Sequence, residues 1–501
     1  MDGSRRPWAR NGTRRALAAV AACAAMAGTV PDAEASTLLE LIGAPLGRYP
    51  FGARVLPSGP EAAYFNPALL PGVEGGFVIG VSYLHQELDI DLADRPDGID
   101  VTDAVFQARR VDPVTGDRLP LAFRPLPTSM LAPRGDGDAS SGRPYLSLGT
   151  VMHFWGDRIG LGVYGALPAG QFQGQRPFFA DEREQYFSNS LHFELLGDRT
   201  EGNAIVVALG IRPIRWVSAG IGVTIANRSE VNNKVFVPES GDQTKTMSTS
   251  QVVVRTKVAP HFALAVHPIP RLAVTGTVHL ESRSDVAGGT EMAFWAFDLS
   301  EDDKSVHAYV RSFLWEPLRV GFGASWDGTG TGDWSWKAGV GGVWGQWSRY
   351  RERQGVRPLD RWKDTVSLSA SGEVSWRNQR LSLDLGWFPS PVPDQVGRSN
   401  HVDNDRLGVG AAWDGRWQVG KRVHLTAGVN LSFQHLFPRS VRKSADAANP
   451  VIDEMTDDLV DRETGLPLDG AAGLQTNNPG YPGFSSRGWL INAGVSLRIE
   501  Y

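Results

Sequence analysis

The chain has 501 residues, among them 57 glycines, 16 tryptophans and one cysteine, and a net charge of −5. Its mean hydropathy is slightly negative, and past the N-terminus no run reaches the roughly 18 apolar residues a membrane helix needs, which excludes helical spans there. A mildly acidic chain without a Lys/Arg block also excludes nucleic acid as a partner.

Residues 1–35 read as a secretion signal: Arg5, Arg6, Arg10, Arg14 and Arg15 open it, an Ala-rich apolar stretch runs from Ala16 to Val30, and Ala33-Glu34-Ala35 fits the small-x-small cleavage rule. Thr13-Arg14-Arg15 offers a twin-arginine alternative. Val20-Ala21-Ala22-Cys23 offers a lipoprotein box, although the apolar run before Cys23 is short for one. Cleavage after Ala35 removes the only cysteine, and with it thiol and disulfide chemistry. It leaves 45 basic against 52 acidic residues, a net −7.

Next comes a short apolar region. Thr37-Leu38-Leu39-Glu40 has the capping-box pattern and predicts a helix start. Gly59–Phe65 predicts a further helical turn that must stop by Asn66, because the residue before Pro67 is pushed out of the α region. Glu61–Gly72, EAAYFNPALLPG, is too apolar for a surface loop and is expected to pack inside something; the alternative is an ordinary N-terminal loop with an Asn-Pro turn.

From about residue 75 the period is two. In Lys363–Trp376, Val366, Leu368, Ala370, Val374 and Trp376 alternate with Thr365, Ser367, Ser369, Ser371, Glu373 and Ser375. Arg380–Trp387 and Val423–Phe433 repeat this, the pattern of strands between an apolar and a polar environment. About fourteen strands are predicted, near 75–90, 143–154, 159–170, 186–212, 216–229, 248–267, 271–286, 309–327, 332–347, 363–376, 380–388, 405–414, 422–436 and 487–501. Trp155, Trp216, Trp326, Trp334, Trp347, Trp362, Trp376, Trp387 and Trp489 fall near strand ends, where membrane barrels carry aromatic girdles. Tight connectors such as Gly156-Asp157-Arg158 and Arg377-Asn378-Gln379 alternate with long polar ones, the longest near 91–142 and 437–486. A soluble sandwich has no reason to alternate loop lengths. An all-β transmembrane antiparallel barrel of about 14 strands does, with both termini on the periplasmic side. In the last strand Trp489, Ile491, Ala493, Val495, Leu497, Ile499 and Tyr501 share one face, opposite Asn492, Ser496, Arg498 and Glu500. A terminal aromatic on the apolar face resembles the signal read by the outer-membrane barrel assembly machinery, a partner expected to act through Tyr501.

Several motifs follow in a defined order: Trp362-Lys363-Asp364-Thr365, two alternating strands, Ser390-Pro391-Val392-Pro393-Asp394, and Asn404-Asp405-Arg406. With Asn66-Pro67-Ala68 near the N-terminus and Leu167-Pro168-Ala169-Gly170 ending the third strand, the chain resembles the FadL-type outer-membrane transporters of long-chain fatty acids and other hydrophobic compounds. The likeness runs along nearly all of the chain after the signal. It implies a barrel over 75–501 plugged by a small helical hatch over 36–74, with Tyr64, Phe65, Asn66, Pro67 and Ala68 in the hatch. It also implies capture of a hydrophobic ligand from outside, a lumenal site, hatch rearrangement, and sideways exit at a kinked third strand, where Gly165 and Pro168 are candidates for the lateral opening. The chain departs from the pattern in its enlarged first and last external loops and in a short polar third one near 230–247.

A carboxylate carried into a lumen needs a cation. Alternation turns Lys257, Arg319, Lys337, Arg406 and Arg498 inward; Arg319 and Lys337, on neighbouring predicted strands, are the first choice for substrate binding. Glu281, Glu373, Asp384 and Glu500 offer the alternative of internal ion pairs. His279 and His424 face inward without a Ser or Cys partner at a recognisable spacing, and no metal-ligand pattern appears, so neither catalysis nor a cofactor is expected. The expected function is passive uptake of hydrophobic small molecules, fatty acids first, in contact with outer-membrane lipid. A structural or adhesive barrel acting through its loops, and a barrel lipid-modifying enzyme, remain open.

Overall fold

A strand that is apolar on one side only can satisfy its backbone in lipid by joining a closed cylinder, and the computed structural model is such a cylinder. It describes residues 37–43, 48–93, 137–138, 141–169, 203–227, 246–254, 257–294, 305–330, 332–351, 357–358, 360–397, 399–420, 423–443 and 483–500. Residues 1–35, expected as a secretion signal, Tyr501, residues 228–245, where a third external loop is expected, and most of 91–142 and 437–486 lie outside them. Two short helices, α1 (Thr37–Ile42) and α2 (Ala62–Phe65), and a 3₁₀ turn over Pro67–Gly72 precede the strands. The strands are β1 (Gly76–Leu92), β2 (Gly137–Asp138), β3 (Ser141–Phe154), β4 (Ile159–Pro168), β5 (Asn203–Ile214), β6 (Val217–Asn227), β7 (Thr246–Val254), β8 (Lys257–Ile269) and β9 (Leu272–His279). They continue as β10 (Ser282–Phe294), β11 (Ser305–Glu316), β12 (Arg319–Thr329), β13 (Trp334–Gly345), β14 (Thr365–Trp376), β15 (Gln379–Phe388), β16 (Arg406–Gln418), β17 (His424–Arg442) and β18 (Gly483–Glu500).

The wall is a closed antiparallel barrel of 14 strands: β1, β3–β6, β8, β9 and β12–β18. Closure is made by β18 on β1, in continuous register from Phe77↔Ile499 to Leu92↔Phe484. The predicted strands fall on these fourteen with one systematic difference. The segments expected over 248–267, 271–286 and 309–327 each divide in two, and their loop-end halves, β7, β10 and β11, form a separate three-stranded sheet in the order β11-β10-β7. Leu280 and Glu281 part β9 from β10, and Pro317 and Leu318 part β11 from β12. Pro317 has no N–H to lend to a ladder, so pairing breaks there.

Polarity is inverted relative to a soluble core. Along β15, Leu383 is 60% exposed while Asp384 beside it is 1% exposed. The same alternation leaves Val340, Leu368, Leu385, Val409, Leu431 and Val495 outside and Thr277, Glu373, Ser382 and Asn492 buried inside. An exposed apolar belt this continuous belongs in lipid. Trp155, Trp216, Trp326, Trp334, Trp376 and Trp417 are exposed near the ends joined by short turns and form the girdle on that side. Trp347 and Trp362 depart from the expectation: both are buried, in a cluster at the opposite, loop-bearing end.

The N-terminal segment lies inside the barrel. α2 and the 3₁₀ turn pack on β4, β5, β6 and β8, with Tyr64, Ala68 and Leu70 fully buried. α1 starts at Thr37, and the Ala62–Phe65 turn ends at Asn66, whose N–H caps the Ala62 carbonyl at 3.0 Å. The wall meets this segment with glycine. A Cβ on Gly160, Gly210 or Gly220 would collide with the backbone of Leu70, Pro67 or Ala68, and one on Gly323, Gly341 or Gly408 would press on Val55 or Phe51. The many glycines are thus a lumenal lining as well as turn formers. Gly220→Val drives a branched side chain into the Pro67–Ala68 backbone. We expect it to lower the stability of the folded barrel by about 1–3 kcal/mol, read as a lower thermal midpoint in detergent; an unchanged midpoint contradicts the close packing described here.

Candidate binding site in the barrel lumen

At the turn end the N-terminal segment is fastened by charge. Arg48 donates from Nε to Glu373 at 2.8 Å and from Nη1 to Asp414 at 2.9 Å. The Tyr49 hydroxyl donates to the same Glu373 at 2.5 Å. The amides of Phe51 and Gly52 both donate to Oδ2 of Asp384, at 2.9 and 3.0 Å. Glu74, the last charged residue before β1, is shared by Arg380 at 2.9 Å and Arg498 at 3.0 Å. Burial pushes the Glu74 carboxyl up, but Arg380 and Arg48, with Arg498, outweigh it and hold it down at about 2.

Midway up the lumen, the ladder sets His261 opposite His279 and His279 opposite Arg319. The two imidazoles stack at 4.7 Å. His261 Nε2 lies 2.6 Å from the Ala63 carbonyl, so that nitrogen carries the proton. Arg54 Nη1 lies 3.0 Å from His279 Nε2, which therefore accepts. Arg54 also pairs with Glu40 of α1, and the Tyr64 hydroxyl donates to that same carboxylate at 3.0 Å. Asn66 donates from Nδ2 to the Arg54 carbonyl at 2.8 Å, tying the Asn-Pro break to this row.

At the loop end the sequence motifs converge. The Lys363 amide donates to the Pro391 carbonyl at 2.8 Å, and Asp364 accepts from the Ser348 amide at 2.8 Å. Arg439 reaches back to Ser390 Oγ and to the Val392 and Pro393 carbonyls at 3.1, 2.8 and 2.6 Å. Asn404 donates to the carbonyls of Phe437 and Ser486, each at 2.9 Å. Trp362 stacks on Tyr350 at 3.8 Å beside Trp315 and Trp347. The motifs therefore fold two external loops into a fixed rim.

Between that rim and the N-terminal segment lies a cavity of about 120 Å³. Its apolar surfaces are Phe51, Phe65, Trp347 and Phe388, and its β13–β14 side is small and polar, with Gly341, Thr365, Ser367 and Ser369. Arg54, Arg319, Arg406, Glu40 and Asp403 bring charge to it. Arg319 is 6% exposed; its Nη2 is bound to Glu316 at 2.5 Å, and its guanidinium lies 5.8 Å from the Trp347 ring. Its Nη1 has no hydrogen-bond partner among the described residues. Arg406 donates to Gln434 at 3.1 Å and covers the Phe388 ring.

Of the predicted cations, the cavity gathers Arg319 and Arg406. Lys337 does not join them. Arg319 stands opposite Gly345 and Lys337 opposite Asp327, eight residues further along the wall, which is about 27 Å at the rise of a strand. Lys337 is half-exposed at the turn end, 3.6 Å from Asp327. Arg498 is buried, but it is committed to Glu74 and closely approaches Gly59 rather than the cavity. Lys257 begins β8 opposite Ala226, and its side chain lies outside the described residues. At the expected lateral opening Gly165 is paired on both sides, with Leu148 and Ile205, so no gap opens there. Pro168 lies past Ala166, the last residue of β4 paired to β5. The alternative of internal ion pairs holds for Glu373 with Arg48, Glu281 with Arg349 and Glu500 with Arg416, whereas Asp384 takes the Phe51 and Gly52 amides; Arg48 and those amides went unread. Two arginines in an otherwise apolar segment bound for a lumen were the available signal, because each needs a carboxylate opposite it. The inward G-x-G pairs 160/162, 220/222, 321/323, 339/341 and 408/410 marked the close approach in the same way.

No family model matches the chain, and no curated protein matches it. Solved structures similar to it include a Pseudomonas aeruginosa FadL homologue, at 13% identity over 94% of this chain and 98% of that one, with a TM-score of 0.49. They also include the P. putida toluene transporter TodX, at 11% identity over 91% and 99%, TM-score 0.41. A third is the Ralstonia pickettii toluene transporter TbuX, at 10% identity over 91% and 99%, TM-score 0.39.

A carboxyl held at about 2 stabilises the folded state fully above its ordinary value of 4.5, and that contribution is lost as pH falls toward 2. The difference in thermal midpoint between the wild type and Glu74→Gln should therefore be constant from pH 8 to 5 and shrink to nothing below that. A difference that is absent at pH 7 removes the Glu74 clamp.

Proposed function

We propose that the chain is an outer-membrane uptake protein of the FadL type that passes hydrophobic small molecules with an acidic head passively inward. The observation that carries the reading is Arg319: a buried guanidinium that lines the cavity with Nη1 lacking a hydrogen-bond partner among the described residues, set among aromatic rings. A carboxylate placed there satisfies the unused donor while its apolar body packs on Phe51, Phe65 and Phe388. Long-chain fatty acids are the first class to consider. A cavity of about 120 Å³ is smaller than the ~150 Å³ that accommodates a benzene, so a long acyl chain requires the N-terminal segment to give way. In this reading the segment is a hatch over 36–74: it rearranges to let ligand past, Phe65 yields at the cavity, and the charged clamp at Arg48 and Glu74 keeps it attached. The exit lies near the third barrel strand beyond Gly165, with Pro168 as the remaining marker. Residues 1–35 act as the export signal and Tyr501 as the assembly signal. No cofactor is involved.

A structural or adhesive barrel is the second reading, and the ion-paired turn end of the lumen favours it, because nothing passes without rearrangement. Uptake decides between them. Cells carrying the gene should take up labelled oleate or an aromatic hydrocarbon faster than cells without it; equal uptake of both rejects transport. In the purified protein Arg319→Ala should weaken oleate binding by roughly ten-fold or more, the worth of one hydrogen bond to a charged group, while Lys337→Ala leaves it unchanged.

A further inference from the structure

The same cavity holds a second unsatisfied group of the opposite kind. Asp403, in the loop between β15 and β16, lines the cavity and is 2% exposed. Its Oδ1 has no hydrogen-bond partner among the described residues. The Ser390 hydroxyl and the Asn404 amide hold the Asp403 carboxylate, with Arg406 and Arg439 nearby, and leave only Oδ1 over, while Arg439 bonds the Asp403 carbonyl at 3.3 Å. The barrel places β13, β14 and β15 between Arg319 on β12 and the Asp403 loop ahead of β16. The lining of one cavity therefore carries an unused donor on one part and an unused acceptor on another, both covered until the N-terminal segment gives way, with aromatic rings and the hydroxyls of Thr365, Ser367 and Ser369 between them. A simple hydrocarbon satisfies neither group, and a simple fatty acid satisfies only the donor. Leaving a buried acceptor unmatched costs affinity, which is how polar sites reject ligands lacking the matching group.

Resting on the uptake reading above, we infer that the preferred ligand is a single-ring aromatic hydroxy acid, its carboxylate on Arg319 and its hydroxyl donating to Asp403. The cavity volume of about 120 Å³ falls only a little short of the ~150 Å³ that holds a benzene, so one ring needs a much smaller displacement of the N-terminal segment than a long chain does. The aromatic lining suits a flat π face.

The test is equilibrium binding to the full-length protein in detergent, read by tryptophan fluorescence and calorimetry. The ligands are benzoate, 4-hydroxybenzoate, 4-methoxybenzoate and oleate. We expect 4-hydroxybenzoate to bind about ten-fold tighter than benzoate or 4-methoxybenzoate. The methoxy compound removes the donor and is larger, and benzoate removes it and is smaller, so a preference over both is not one of size, and this arm needs no variant. Asp403→Asn should erase most of that preference, so that 4-hydroxybenzoate binds no more than about two-fold tighter than 4-methoxybenzoate. If 4-methoxybenzoate binds as well as 4-hydroxybenzoate, the hydroxyl claim is overturned and the uptake reading stands. If no acid binds, oleate included, the uptake reading falls, and this inference with it.

Discussion

Arg48 carries a full positive charge into a space that water reaches poorly, and it is tolerable there only because Glu373 and Asp414 meet it from two different wall strands. Removing one partner of a buried pair costs about 3–5 kcal/mol, because the other charge is left stranded. That constraint organises the lumen. Glu373 also takes the Tyr49 hydroxyl, Asp384 takes two backbone amides of the same turn, and Glu74 closes the circuit through Arg380 and Arg498. Each strand from β14 to β16, and β18, gives at least one group to the segment. The barrel and its contents are thereby one structure at the turn end.

The other side of the segment is held differently. Pro67, Ala68 and Leu70 lie against Gly160, Gly210 and Gly220 with backbone nearly touching backbone. Dispersion and shape complementarity do the fastening there, with few directional bonds beyond His261 to Ala63 and His153 to Leu70. Charge pins one flank and fit holds the other. A segment held in this way can yield along the fitted flank while the pinned one stays in place, which is what a hatch needs if ligand is to pass without the segment leaving the barrel.

The cavity opens above these fastenings, between Phe51, Arg54 and Phe65 of the segment and the folded loops. Its position follows from the motifs. Trp362 to Thr365 and Ser390 to Asp394 bind each other and are buttressed by Arg439 and Asn404, so the rim is rigid. The lining of Gly341, Ser367 and Ser369 is small enough to leave a void instead of filling it. Arg319 and Asp403 line that space, each with one buried polar atom that no described residue satisfies.

Alternation in residues 363–388, the rhythm of short and long connectors and the polar face of the last strand were enough to specify a lipid-facing barrel of fourteen strands. Period two and the need to pair every backbone group in lipid act locally, on each strand separately. Asn66-Pro67 likewise announced where its helix had to end, since the restriction lies within two residues. What sits opposite what was not legible. Arg319 and Lys337 fall on adjacent strands with the same parity, but register, set by the turn at 329–334, separates them by most of the wall. Gly165 reads as an interruption of its strand, yet both neighbours pair through it. Arg498 has the parity of a ligand-binding cation and is occupied instead by Glu74, more than four hundred residues away in the chain. Sequence alone determined which way each side chain points, because that depends on its own strand. Only the tertiary structure decided which charges meet, because closing the barrel brings together residues whose separation along the chain says nothing of their distance in space.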